Sequence, residues 1–391
     1  MAEKKQATSR KPSARKGARG RRAYRRVVAK LGTGLLTAGS DRLNQRAMSS
    51  LVAQVASLRR DGVDVAIVSS GAIAAGRHRL AQREDRRDIP FRQVLASVGQ
   101  SALMHRYDRL FGQHGLVCGQ ALVTRRDLWD RLGYLNARNT LLALLELGAV
   151  PIVNENDVVA VEEIEGTSIG DNDNLSALVA NLIDADLLAL LTDTGGLHTE
   201  DPRRNPDAEL IPLVEKITPQ IEALADDSGT PHGVGGMITK LQAAKLATAG
   251  GSDVVIADGH VPDVLTRLVA GESIGTLFPA SRDRMESRKR WMLTGLKARG
   301  RIVVDEGAAR AVLAQGRSLL PAGVREVQGP FERGDTVPVY DHEGHRIAIG
   351  ISNYGHEDAA KLCGVRSDRI VEVLGYEYGS ELVHRNNLVK L

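Results

Sequence analysis

From Val234 to Ala249 the chain reads VGGMITKLQAAKLATA: two glycines, then a lysine at the start of a helical run. Glycines let a backbone approach an anion closely. The amide N–H groups of the helix start, the positive end of its dipole and the Lys240 ammonium then converge on one point. Such a turn suits a transferring phosphoryl group, although Gly-Gly before a helix also occurs simply as a turn. The spacing is not G-x-x-x-x-G-K-[ST], which excludes the phosphate loop of the P-loop NTPases.

A second glycine-lysine element stands near the start. VVAKLGTGLL at 27–36 is a β-branched run, then Lys30, then Gly32, Thr33 and Gly34, with a helical pattern from Asp41 onward. Read as strand and turn, it puts Lys30 at the carboxyl end of a first strand, where open α/β sheets bind their ligands. A hairpin with a solvated lysine is the plainer reading. Two lysines on two strand-to-helix turns fit phosphoryl transfer, which depends mostly on positioning and charge stabilisation.

Polar clusters at other strand ends describe an acceptor. VDVAIVSSGAIAAG at 63–76 ends its apolar run in Ser69, Ser70 and Gly71. VPIVNENDVV at 150–159 ends in Asn154, Glu155, Asn156 and Asp157, and GDNDNLSALVANL at 170–182 sets Asn172 and Asp173 before an apolar helix. One such residue would serve as a helix cap. Three or four per cluster suit a substrate carrying an ammonium as well as carboxylates. DADLLALLTDTGGLHTEDPR at 184–203 adds a leucine-rich strand ending at Thr192 and Asp193, read as a nucleotide pocket or as plain strand and loop.

Taken in order, KLGTG, SSGAIAAG, YLNARNT at 134–140, NEND, GDNDNLSAL, LLTDTGGLHTEDPR, GGMITKLQAA and GTLF at 275–278 resemble the amino-acid kinase family, and in particular its glutamate-phosphorylating branch. The resemblance runs from about Val27 to the C-terminus. It implies ATP-dependent phosphorylation of the L-glutamate γ-carboxylate, the first step toward proline, with Mg2+ accompanying ATP. Carried over, Lys30 and Lys240 resemble the lysines that stabilise the moving phosphoryl group, and Asp173 the aspartate that orients them. Ser70, Asp157 and Asn172 match glutamate contacts. Lys30, Thr192, Asp193, Val234, Gly235, Gly236, Met237, Ile238, Thr239 and Lys240 match nucleotide contacts. Val234 stands where the family commonly has threonine, and residues 1–26 have no counterpart. The resemblance further implies L-proline as feedback inhibitor, a homo-oligomer and coupling to the reductase that consumes glutamyl phosphate. It leaves the metal ligands open. A kinase for aspartate or N-acetylglutamate is the nearest alternative.

The expected fold is α/β: a three-layer α/β/α sandwich with a mainly parallel sheet over 27–285, strands starting near 27, 63, 117, 150, 186 and 253. A basic linker at 286–298 leads to a mostly-β segment at 299–382 that resembles a PUA domain, followed by a C-terminal tail at 383–391. That segment carries 10 Lys+Arg against 13 Asp+Glu, not the charge pattern of an RNA binder. An RNA-binding protein with a vestigial kinase fold is therefore disfavoured, and the intact lysines argue against it too.

The formal charge of +4 conceals an asymmetry. Residues 1–26 hold 11 Lys+Arg and one acidic residue, leaving 41 basic and 47 acidic residues beyond them. That extension has no apolar period and reads as disordered. Cys118 and Cys363 are the only cysteines, so a disulfide scaffold is excluded. No apolar run reaches membrane-spanning length and no secretory signal stands out, which makes the cytoplasm the expected compartment.

Overall fold

A computed structural model describes residues 24–40, 42–81, 88–160, 172–226, 236–280 and 299–391. The expected linker at 286–298 and nearly all of the basic extension lie outside them. In the first domain the strands are β1 (Arg26–Leu31), β2 (Asp64–Ser69), β3 (Cys118–Val123), β4 (Val150–Glu155), β5 (Leu187–Thr192), β6 (Asp253–Asp258) and β7 (Thr276–Phe278). The helices are α1 (Thr33–Thr37), α2 (Gln45–Arg60), α3 (Ala72–Arg79), α4 (Ile89–Gly112), α5 (Arg125–Trp129), α6 (Arg131–Glu146), α7 (Asn172–Leu182), α8 (Pro219–Asp226), α9 (Met237–Gly250) and α10 (Val264–Val269).

One sheet in the order β3-β4-β2-β1-β5-β6-β7 carries this domain. All neighbours are parallel except β7, which runs antiparallel to β6. Central strands buried on both faces read as unbroken apolar runs, as LLALLT of β5 does. Alternation still sorts their side chains. Val27, Ala29 and Leu31 of β1 join a core with α2, α4 and α10, while Val28 joins one with α6, α7 and α9. Two helical layers on one sheet form the expected sandwich. The chain reverses its direction of growth across the sheet at β1, whose neighbours are β2 and β5, and such reversals open a crevice at the carboxyl ends of the strands.

Two boundaries differ from the sequence reading. Of Tyr24 to Arg26, assigned there to the basic extension, Arg26 opens β1 and the two before it are tied to the sheet. The Tyr24 hydroxyl donates to Asp253 at 2.9 Å, and the N–H groups of Arg25 and Arg26 donate to Asp186, each at 2.9 Å. Carboxylates at the amino ends of β5 and β6 thus hold the incoming chain. At the other end, the second domain has β8 (Arg301–Val304), β9 (Val324–Gln328), β10 (Thr336–Tyr340), β11 (Arg346–Ile351) and β12 (Leu388–Lys390) in the order β12-β11-β10-β8-β9. Residues 388–390, expected in a tail, pair with 348–350, and Val389 is buried. Three residues are too short a run to show a strand period in the sequence.

Helix α3 packs backbone to backbone against α4. A Cβ on Gly76 would overlap the Leu95 carbonyl oxygen, and one on Gly99 that of Ala72. Glycine at both positions lets the two backbones touch, and this fixes the amino end of α3 behind Ser70.

Candidate active site

Parity along β1 decides where Lys30 points. It lies two residues beyond Val28 and so shares the face of α7 and α9. There its ammonium is 2.6 Å from Asp173 Oδ1 in the first turn of α7. Lys240, in the first turn of α9, approaches Asp173 Oδ2 at 3.2 Å. The Thr239 hydroxyl donates to the same oxygen at 2.9 Å. Asp173 is 0% exposed, Lys30 4% and Lys240 6%. Two ammonium groups, one from the central strand and one from the helix ahead of β6, therefore meet on one carboxylate. Burial on this scale demands such pairing, since an isolated charge in an apolar interior is very costly.

On one side of this triad lies the start of α9. Gly236, its N-cap, is extended and supplies no side-chain hydrogen bond, so the first-turn N–H groups are offered to an anion. Met237 and Ile238 turn partly into the core instead. Thr192 and Asp193, at the carboxyl end of β5, bond to each other at 3.0 Å, and Asp193 packs against Gly34 in α1. Val234 and Gly235 lie outside the described residues, as do residues 161–171.

On the other side a cleft of about 570 Å³ is lined by residues that include Ser70, Ala72, Arg77, Arg92, Asn154, Asp157 and Asn172. Asn172 Nδ2 donates to Ser70 Oγ at 3.1 Å and to Asn154 Oδ1 at 3.2 Å. Asn154 in turn donates to Gln100 at 2.9 Å. That network leaves acceptors over. Asp157 Oδ1 and Asn172 Oδ1 are buried and accept no hydrogen bond from the described residues. Unsatisfied buried acceptors are rare, and a pair of them in one cleft suits an ammonium. Burial pushes the Asp157 carboxyl up to about 6, with the nearby Arg92 guanidinium opposing the shift.

All the described residues expected to carry chemistry thus lie at the carboxyl edge of the sheet or on the helix starts behind it. Gln100, Arg77 and Arg92 were not expected. Arg77 and Arg92 carry no local motif, and only the α3–α4 crossing brings them to the cleft. Thr239 was expected on the nucleotide; its hydroxyl bonds Asp173 and the Gly236 carbonyl.

Residues 25–258 match the amino acid kinase family and residues 300–374 the PUA domain. A glutamate 5-kinase of Dehalococcoides mccartyi is 54% identical over 366 residues, covering 94% of this chain and 98% of its own. One from Herpetosiphon aurantiacus is 50% identical over the same shares of both chains. Among solved structures, a UMP kinase from Bacillus anthracis matches with a TM-score of 0.45 at 16% identity, over 66% of this chain and 96% of that one.

Proposed function

The chain belongs to the amino acid kinase family, and from that premise we infer that it transfers the γ-phosphoryl group of ATP to the γ-carboxylate of L-glutamate, giving L-glutamyl 5-phosphate, the first step of proline biosynthesis. The observation that carries the reading is the buried Lys30–Asp173–Lys240 triad set between an open helix start and a cleft with unsatisfied acceptors. A carboxylate is already nucleophilic at neutral pH, so no strong general base is needed. What the site must do is bring two anions together, and two ammonium groups held in place by Asp173 lower that repulsion. Lys30 and Lys240 are assigned to the transferring phosphoryl group. The α9 start, Thr192 and Asp193 are assigned to the nucleotide. Ser70, Asn172 and Asp157 are assigned to glutamate.

Asp157 argues for a free amino group on the acceptor. A buried carboxylate oxygen without a donor pairs well with an ammonium and poorly with the neutral amide of N-acetylglutamate. Mg2+ is proposed to enter with the nucleotide. Asp173 is already taken by two ammonium groups and a hydroxyl and is therefore not assigned to the ion, which would ride on the phosphate oxygens and screen their charge. L-proline, with an α-carboxylate and a cationic nitrogen, fits the same cleft as an inhibitor. Val117, Leu122 and Leu147 expose apolar surface beside the edge strand β3, which supports self-association. A reactive acyl phosphate favours direct hand-over to a glutamyl phosphate reductase. The proposed compartment is the cytoplasm, in keeping with two unpaired cysteines; no described helix is long and apolar enough to cross a membrane.

Assay with ATP and hydroxylamine tests the reading directly. Hydroxamate is expected from L-glutamate, and formation only from aspartate or N-acetylglutamate would overturn it. Asp157 gives a second test, on two axes. Asp157→Asn is expected to raise the glutamate KM roughly 10- to 100-fold with little change in ATP binding. For the wild type, the same KM should climb as pH falls through about 6, where the carboxyl takes up a proton. Stability should move the opposite way. The folded chain holds this proton up to about pH 6 and the unfolded chain only to 3.8, so the contribution to stability is full below 3.8 and lost by 6. At pH 7 the substitution removes that penalty, roughly 2–3 kcal/mol, and Tm should rise by a few degrees. A lower Tm with an unchanged KM would refute the assignment.

A further inference from the structure

We propose that Arg77 and Arg92 form the subsite for the α-carboxylate of the acceptor and thereby select a free α-amino acid. The proposal rests on the glutamate reading and adds residues to it that no motif supplied. Among the described charged side chains lining the cleft, two are cations, Arg77 and Arg92, and one is an anion, Asp157. Glutamate brings one ammonium and two carboxylates. Its γ-carboxylate must face the lysine pair, and its ammonium matches the open oxygens of Asp157 and Asn172. The α-carboxylate remains, bonded to the same carbon as the ammonium, so its partner has to stand beside Asp157.

Arg92 meets that condition, because its charge acts on the Asp157 carboxyl. It is also held there. The first turn of α4 is capped by Asp88, whose side chain accepts from Phe91 N at 3.1 Å, and Gln93 donates to the Val158 carbonyl at 3.1 Å. The turn that carries Arg92 is thus tied to the loop that carries Asp157. Arg77 arrives from the other helix. It follows Gly76, whose backbone touches Leu95, one turn beyond Arg92. A guanidinium offers paired N–H donors that match a carboxylate in shape as well as charge, which a lysine does not.

The test compares L-glutamate with its α-amide, L-isoglutamine, which keeps the ammonium and the γ-carboxylate and loses only the α charge. Acyl phosphate is trapped with hydroxylamine. Wild type should favour glutamate in kcat/KM by roughly 100-fold. Arg92→Gln and Arg77→Gln should each cut that preference at least tenfold, with the loss in the glutamate KM rather than kcat, and the amide's kcat/KM should stay within about twofold of wild type. Arg92→Lys should keep part of the preference. Equal losses for both substrates in the glutamine variants, at a wild-type Tm, would overturn the subsite. A wild-type enzyme that takes the amide as readily as glutamate would overturn it without any variant. No hydroxamate from glutamate at all would instead defeat the kinase reading, and the subsite with it.

Discussion

Lys240→Ala and Lys30→Ala are each expected to lower kcat by roughly 10²- to 10³-fold while moving the glutamate KM far less. The ammonium groups lie 3.2 and 2.6 Å from Asp173, and that carboxylate keeps one ammonium and the Thr239 hydroxyl in either variant. The fold should therefore survive, and the loss should fall on the transition state, where negative charge spreads over the moving phosphoryl group. Steady-state kinetics with ATP and glutamate, together with a thermal melt, separate the two effects. Turnover near wild type in either variant would remove that lysine from the mechanism.

Asp173→Asn should be worse, because it harms stability and chemistry together. The carboxylate is 0% exposed, and the two lysines it neutralises are 4% and 6% exposed. Without it, two like charges remain buried with a neutral amide between them. Removing one member of a buried ion pair typically costs about 3–5 kcal/mol. The Thr239 hydroxyl also loses its charged acceptor. We expect a drop in Tm of several degrees and kcat reduced at least as far as in the single lysine variants. ATP should restore Tm more in this variant than in wild type, because its phosphates supply the missing negative charge. A variant with wild-type Tm and turnover would show that the two ammonium groups do not depend on this carboxylate.

Much of this arrangement is legible in the sequence because the signals are local, Lys240 from the glycines ahead of its helix and the others from the ends of strands. A parallel strand buried on both faces is a run such as VVAKL or LLALLT with its functional residues at its end, so Lys30, Ser70 and Thr192 are each found from their neighbours in the chain. Asp173 is found the same way, from the cluster ahead of its helix. What stays hidden depends on contacts between distant segments. Arg77 and Arg92 reach one cleft only because Gly76 and Gly99 let two helices touch, and either glycine alone looks ordinary. β7 and β12 have three residues apiece and gain their stability from the strand beside them rather than from their own pattern. The Thr239 hydroxyl goes to Asp173, 66 positions earlier, so the motif around it gives the residue but not its partner.

The sheet order has an evolutionary corollary. With β1 at the centre, β2, β3 and β4 lie wholly to one side of it and β5, β6 and β7 wholly to the other. The residues proposed for the acceptor, Ser70 to Asn172, form one uninterrupted block of chain, and those proposed for the nucleotide, Thr192 to Lys240, form the next. Lys30 precedes both and serves both. A lineage, or an engineer, could therefore exchange the acceptor by replacing a single cassette, with one junction beyond β1 and one within α7, while the ATP half is inherited intact.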